Sequence, residues 1–154
     1  MREQRKGRKI AMTKDELDGF LNEERTCRVG TITSSGAPHV TPLWYVWDGE
    51  NLWLNSIVKS QRWTDVQKNP RVSIMVDAGV DYMELRGVEI AGTVAPFGEV
   101  PRAGEANDEL VPVERAYALK YHGSPEMHYD GRHAWLKVTP DKISSWDFRK
   151  LASL

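Results

Sequence analysis

Lys59, Ser60, Gln61 and Arg62 stand in a row between a short apolar run, residues 52–55, and an amphipathic segment that ends at Asn69-Pro70-Arg71. Two cations, a hydroxyl and an amide within four residues are the groups that hold an oxyanion. Residues 60–68 read as a short helix, stopped before Pro70 because a residue preceding proline avoids the α region. A helix start leaves backbone N–H groups unpaired and carries the positive end of the peptide dipoles. The cluster is therefore a candidate anion site, most naturally for a phosphate. The competing reading makes Ser60 an N-cap and nothing more, with Lys59 and Arg62 solvated.

A second candidate element is Thr41-Pro42-Leu43-Trp44-Tyr45. Pro42 cannot donate to a ladder, so this apolar strand must run along an edge or carry a bulge. Backbone freed from pairing can offer polar groups to a planar ligand. Trp44 serves either such a pocket or the core, whereas Trp47 reads as core or interface. Other chemistries lack their signatures. His122, His128 and His133 are not at the i, i+4 spacing of helical metal ligands, and Cys27 has no cysteine partner. There is no nucleophile elbow, Walker loop or G-x-G-x-x-G. Glu84 and Glu89, an odd separation apart on an expected strand, face opposite ways and make no paired acid and base.

The elements that would position these groups follow from pattern. Thr13-Lys14-Asp15-Glu16 is a capping box, and Leu17, Phe20 and Leu21 give helical spacing to about Glu24. Strands are expected at residues 27–33, 39–47, 52–55, 71–77, 82–94, 133–138 and 142–148, the last two split by Thr139-Pro140. Turns fall at 34–37, Asp48-Gly49 and Ala78-Gly79. Gly87 and Gly92 inside the fifth strand suggest bulges or close backbone approach. Residues 96–108 read as an acidic loop, 109–121 as a helix, and 122–132 as a polar loop. Strands in hairpin succession with few helices describe an antiparallel β-barrel with helical additions; pattern alone leaves a β-sandwich open.

At 154 residues the chain makes about one domain, residues 13–151, behind a basic arm, residues 1–12. A net charge of −1 argues against a general nucleic-acid binder. Arg2, Arg5, Lys6, Arg8 and Lys9 crowd the arm, which is either solvated or closes over an anionic ligand tail. One cysteine allows no intrachain disulfide. No apolar run is long enough to span a membrane, and no apolar segment follows the basic start as in a secretory signal. The expected location is the cytoplasm, with neither nucleic acid nor membrane as partner.

Four ordered pieces carry a resemblance. They are C-R-V-G-T-I-T-S-S-G-A-P-H-V-T-P-L-W-Y-V-W-D-G-E-N-L-W-L-N-S (27–56), K-S-Q-R with N-P-R-V-S-I-M-V (59–76), Y-M-E-L-R-G-V-E-I-A-G-T-V (82–94) and I-S-S-W-D-F-R-K-L (143–151). Together they resemble the split-barrel flavin and deazaflavin oxidoreductases, the superfamily of pyridoxamine 5′-phosphate oxidase. The nearest likeness is to the actinobacterial branch that uses the deazaflavin coenzyme F-420. The resemblance implies a mainly β fold with α additions: a six-stranded antiparallel split β-barrel with Greek-key order, the FMN-binding split barrel. It also implies a homodimer with the cofactor at the subunit interface, and a small planar reducible substrate such as a quinone, an enone or a tetrapyrrole-like molecule.

Residue by residue, the resemblance puts Val40, Thr41, Pro42, Leu43 and Trp44 beside the flavin-type ring. Asn55, Ser56, Val58, Lys59, Ser60 and Gln61 fall in the ribityl-phosphate region, with Arg62, a position that varies among members. Trp146 is either plain core or a cover for a ring bound mostly by the partner chain. F-420 is favoured and FMN is the alternative; the oligoglutamate tail of F-420 gives the basic arm a possible ligand. The cofactor carries the hydride chemistry, so no catalytic side chain is named and Lys59 reads as an anion clamp. No counterpart is found for the C-terminal substrate-phosphate residues of the pyridoxamine 5′-phosphate oxidases proper, so vitamin B6 oxidation is not expected. A cofactor carrier without turnover and a cofactor-free dimerisation module are the competing readings.

Overall fold

The computed structural model describes residues 1–154. Helix α1 (Lys14–Glu23) opens on the expected capping box, in which the Thr13 hydroxyl accepts from Glu16 N and the Glu16 carboxylate accepts from Thr13 N. Its Leu17, Phe20 and Leu21 are buried. Seven strands follow: β1 (Cys27–Ile32), β2 (Pro38–Leu43), β3 (Tyr45–Trp47), β4 (Leu52–Ile57), β5 (Arg71–Ala78), β6 (Arg86–Phe97) and β7 (His133–Asp147). Helix α2 (Gln61–Lys68) links β4 to β5, and α3 (Leu110–His122) lies between β6 and β7. All neighbouring strands are antiparallel, in the order β2-β1-β5-β6-β7-β4-β3.

That order dictates the shape. β2 and β3 are the two edges of the sheet, yet only Trp44 separates them in sequence. A single residue spans less than 4 Å, so the sheet must curl until its edges meet. The result is a mainly β half-barrel with helical additions, the split barrel that the resemblance implies. Val29, Leu54, Ile74, Val88, Ile90, Leu136 and Val138 fill its interior with α1. A second apolar layer forms outside, where Val46, Trp53 and Trp135 pack under Leu110, Val113 and Tyr117 of α3. β4 is accordingly buried on both faces from Leu52 to Ser56.

The seven strands differ from the expected ones in three places. The strand expected over 39–47 breaks at Trp44, because Leu43 still pairs with Cys27 whereas Tyr45 pairs with Leu54 at the other edge. There the Tyr121 hydroxyl takes the place of a strand: it accepts from Tyr45 N at 3.1 Å, and its one proton is shared between Arg25 O at 2.7 Å and Tyr45 O at 3.0 Å. The two strands expected on either side of Thr139-Pro140 are one, β7, with an irregularity of register against Ala91 and Gly92. Gly92 makes this fit: a Cβ there would stand 2.3 Å from Thr139 O. Last, Tyr82–Glu84 is a 3₁₀ turn and β6 begins at Arg86, so Glu84 is not on a strand at all. One expected strand divides and two merge, so the sheet has the seven strands that pattern gives, one more than the six that the resemblance implies.

The basic arm lies along β7. Gln4 pairs with Ser145 in both directions, Nε2 donating to Ser145 O at 3.0 Å and Oε1 accepting from Ser145 N at 2.9 Å. Arg2 N donates to Asp141 O at 2.7 Å. No helix is long and apolar enough to cross a membrane.

Candidate functional site

The split in the barrel lies between β2 and β4. Pairing of β4 with β3 stops at Leu54, so residues 55–57 have β7 on one side and no strand on the other. β2 pairs only with β1. Helix α2 crosses this gap, and Arg62 ties its two banks together. The guanidinium donates from Nη1 to Thr41 Oγ1 on β2 at 2.5 Å, and from Nε to Ser56 Oγ on β4 at 3.2 Å. Arg62 is 6% exposed and forms no ion pair with a carboxylate. Burial pulls its pKa down, the direction expected of a cation taken from water without a counter-charge. A buried uncompensated cation is costly in isolation and becomes favourable when an anion reaches it.

The groups around it point the same way. Lys59 is exposed, one residue before the N-cap of α2. The Ser60 hydroxyl accepts from Trp63 N at 3.1 Å, so Ser60 is an N-cap in fact. The first intrahelical bond is Thr64 N to Ser60 O at 3.2 Å, which leaves the N–H groups of Gln61 and Arg62 unpaired in the first turn. Lys59, two free N–H groups and the buried guanidinium make one cationic corner at the mouth of the split. The Gln61 side chain is occupied elsewhere, donating to Asp65 Oδ1 at 2.7 Å. Val58 packs against the core, and its N–H donates to Arg132 O at 2.9 Å.

Asp65, one turn along α2, is 1% exposed. It accepts from Thr31 Oγ1 at 2.7 Å and from Gln61, and faces His39 Nδ1 at 3.3 Å. Burial acts to raise its carboxyl, but the hydrogen bonds from Thr31 and Gln61 and the His39 imidazole outweigh it, so its pKa lies below the usual carboxylate value. The thiol of Cys27, fully buried in the core, is pushed up to about 12 by that burial and is no nucleophile.

The other candidates divide around the strands as their alternation requires. Thr41 and Leu43 turn inward on β2, whereas Val40 and Pro42 are exposed on its outer side. Trp44, 40% exposed, stacks on Tyr121 with ring centroids 4.3 Å apart and planes 8° from parallel. Ser56 faces Arg62; Asn55 faces the opposite way, under α3. Trp146 lies on Gly87, its strand partner, where a Cβ would come within 2.5 Å of the indole. It sits at the far end of β7 from His133, the residue paired with Ile57, so the chain by itself does not bring Trp146 to the split.

Two features escaped sequence reasoning. The polar loop after α3 folds back so that His122, His128 and His133 border one cavity of about 330 Å³ together with Trp44 and Asn55. These histidines and nearby carboxylates form no metal-binding group. Beneath them lies a buried network. Arg102 donates to Glu114 at 2.6 Å and pairs with Glu99, while Glu114 also accepts from Tyr129 Oη at 2.8 Å and Trp135 Nε1 at 3.0 Å. The one arginine set among Glu99, Glu105, Glu109 and Glu114 was the available signal for it.

Comparison with known proteins bears on the family and the fold. The family model described as pyridoxamine 5′-phosphate oxidase matches residues 13–147. No curated protein matches the sequence. Among solved structures, a conserved hypothetical protein from Mycobacterium tuberculosis is 29% identical, with a TM-score of 0.80 over 97% of this chain and 93% of that one. A putative 5-nitroimidazole antibiotic resistance protein from Bacteroides thetaiotaomicron gives 17% identity and a TM-score of 0.70 over 88% and 85%. An F-420 reductase gives 20% identity and a TM-score of 0.60 over 82% and 94%. The latter two share the fold.

Proposed function

Since this chain belongs to the pyridoxamine 5′-phosphate oxidase family, we propose that it is an oxidoreductase holding a flavin-type cofactor along the split, its phosphate seated at the cationic corner. The observation that carries this reading is Arg62: a buried guanidinium with no carboxylate, at the start of a helix whose first N–H groups are free. Such a corner fits a phosphate, which would supply the missing charge. Lys59 adds a second cation from the solvent side. Thr41 and Ser56 hold Arg62 in place, so its charge is fixed before any ligand arrives.

F-420 is the cofactor this reading favours, with FMN the alternative, since both carry a phosphate. The similarity to an F-420 reductase supports the choice. When bound, such a cofactor supplies hydride transfer. The chain's part is to bind and orient it: backbone groups on the unpaired edges of β2 and β4 face the ring, and Trp44 limits the open end. In this reading the protein works as a homodimer in the cytoplasm, Trp146 covers the ring bound by the partner chain, and the substrate is a small planar reducible compound.

The test is a paired fluorescence titration of the protein with F-420 and with FMN. Tight binding of F-420 alone supports a deazaflavin-dependent reductase, and tight binding of FMN alone moves the reading to the flavin enzymes. Binding of neither overturns it in favour of a cofactor-free module. Binding followed by no oxidation of the reduced cofactor across quinones, enones and nitro compounds marks a carrier instead of an enzyme.

A further inference from the structure

Helix α2 carries two buried charges of opposite sign that do not meet. Arg62 turns to the split, whereas Asp65, three residues on, turns to β1 and β2. The Asp65 carboxylate is 1% exposed, and its hydrogen bonds come from neutral donors, Gln61 Nε2 and Thr31 Oγ1, each at 2.7 Å. The one basic group in ion-pair reach is His39 Nδ1, at 3.3 Å. A buried carboxylate with no fixed cation favours a partner that can become one.

The geometry gives the two nitrogens of His39 different roles. The Thr31 hydroxyl spends its proton on Asp65, so towards Nδ1, 3.5 Å away, it can only accept. Both neighbours of Nδ1 are therefore acceptors, and the proton of the neutral ring belongs on that nitrogen. Nε2, across the ring, faces away from Asp65 and makes no hydrogen bond within the chain; the side chain is 29% exposed. His39 and Thr41 lie on one side of β2, two residues and roughly 7 Å apart. Thr41 is the anchor of Arg62. The free nitrogen thus stands on the bank of the split that carries the guanidinium.

The charged groups that bear on the imidazole are Asp65 from α2 and Arg62 beyond Thr41, while β1 presents the neutral Thr31. An anion bound by Arg62 would favour the imidazolium, and by linkage the imidazolium would favour the anion. We propose that His39 is a proton-linked ligand for an oxyanion at the cationic corner. Nε2 takes up a proton as the anion arrives and donates it in a hydrogen bond, while Asp65 orients the ring and balances its charge. This rests on the corner being an anion site and gives that site a dependence on pH.

The test is calorimetric titration at pH 7 with sulfate, FMN and F-420, each in buffers of different ionisation enthalpy, for the wild type and for His39→Asn. Asparagine can still donate to Asp65 but has no equivalent of Nε2. The dependence of the heat on the buffer counts the protons taken up, and the difference between the two proteins cancels any that the ligand carries. The expected difference is about half a proton to one proton per bound anion. Sulfate does not titrate near neutrality. Its affinity for the wild type should fall at least about fivefold from pH 6 to pH 8, and change by less than about twofold in the variant. Equal proton uptake in the two proteins, or no binding of any of the three anions, overturns the proposal. Should the variant not fold, the ¹⁵N signal of His39 Nε2 in the wild type decides: conversion from acceptor to N–H on adding anion supports the proposal, and an unchanged signal overturns it. Sulfate bound with this proton uptake, and neither cofactor bound, would uphold His39 and sink the cofactor reading; a cofactor bound without it would do the reverse.

Discussion

Arg62→Met separates a ligand clamp from a structural staple. The substitution keeps most of the aliphatic stem and removes the charge. In the unliganded protein it loses two charge-assisted hydrogen bonds, to Thr41 and Ser56, which stabilise by about 1.5–3 kcal/mol each at most. Against this, it relieves a buried cation that has no carboxylate, a desolvation cost of several kcal/mol. The two effects offset, and the expected net change in unfolding free energy is within about 1 kcal/mol. Affinity for the phosphate-bearing cofactor should behave otherwise. The anion loses its buried partner, and the expected loss is about 2–4 kcal/mol, roughly 30-fold to 1,000-fold in Kd. Urea unfolding of both proteins without ligand, followed by fluorescence titration with F-420 and FMN, reads both quantities. A variant destabilised by more than about 3 kcal/mol that still binds cofactor with unchanged affinity would refute the reasoning, and would show that Arg62 serves only to close the barrel.

Further expectations concern separate parts of the molecule. Lys59→Ala, at an exposed position, should leave stability within about 0.5 kcal/mol and weaken cofactor binding by about 1.5–3 kcal/mol in the same titration. Asp65 has a folded pKa below its unfolded value. Its contribution is therefore present above the unfolded pKa near 3.8 and is lost as pH falls through the lower, folded pKa; Asp65→Asn should flatten the fall of the urea midpoint across that acid range. Gly92→Ala, whose Cβ would stand 2.3 Å from the backbone oxygen of Thr139, should lower the melting temperature more than Gly87→Ala, whose nearest clash is with the Trp146 side chain and whose nearest backbone atom, Val76 O, is 3.0 Å away. Tyr121→Phe leaves Tyr45 N and O without their partner and should cost about 1–3 kcal/mol by urea unfolding.

The elements were legible because each announces itself locally. The capping box at Thr13, the proline after Asn69 and the alternation along β5 needed no tertiary information, and the cationic corner followed from a helix start. What was not legible depends on where edges meet. Residues 39–47 read as one strand, since nothing local tells Trp44 that its two neighbours join opposite sides of the sheet. Thr139-Pro140 read as a break because the accommodating residue, Gly92, lies on another strand. The resemblance places Asn55 and Ser56 in one region, and strand alternation turns their side chains to different faces. The Arg102 network and the cavity beside it draw on residues from β4, α3 and two loops, an assembly that no window of sequence contains. Trp146 belongs to the same class: its place on Gly87 is a cross-strand fact.

The strand order also has a consequence for how the chain is made. β4 joins the rest of the sheet only through β7, the last strand to leave the ribosome. Until then the β3–β4 hairpin, apolar on both faces, has no further sheet neighbour, and α3, made only as far along as residue 122, is late to cover its outer side. At ordinary rates of synthesis, about 5–20 residues per second, the 75 residues between the end of β4 and the start of β7 take several seconds. For that interval the nascent chain displays an unpaired hydrophobic edge of the kind that invites wrong pairing. Chains truncated before His133 should aggregate, and demand for chaperones in the cell should rise with slower translation of residues 58–132.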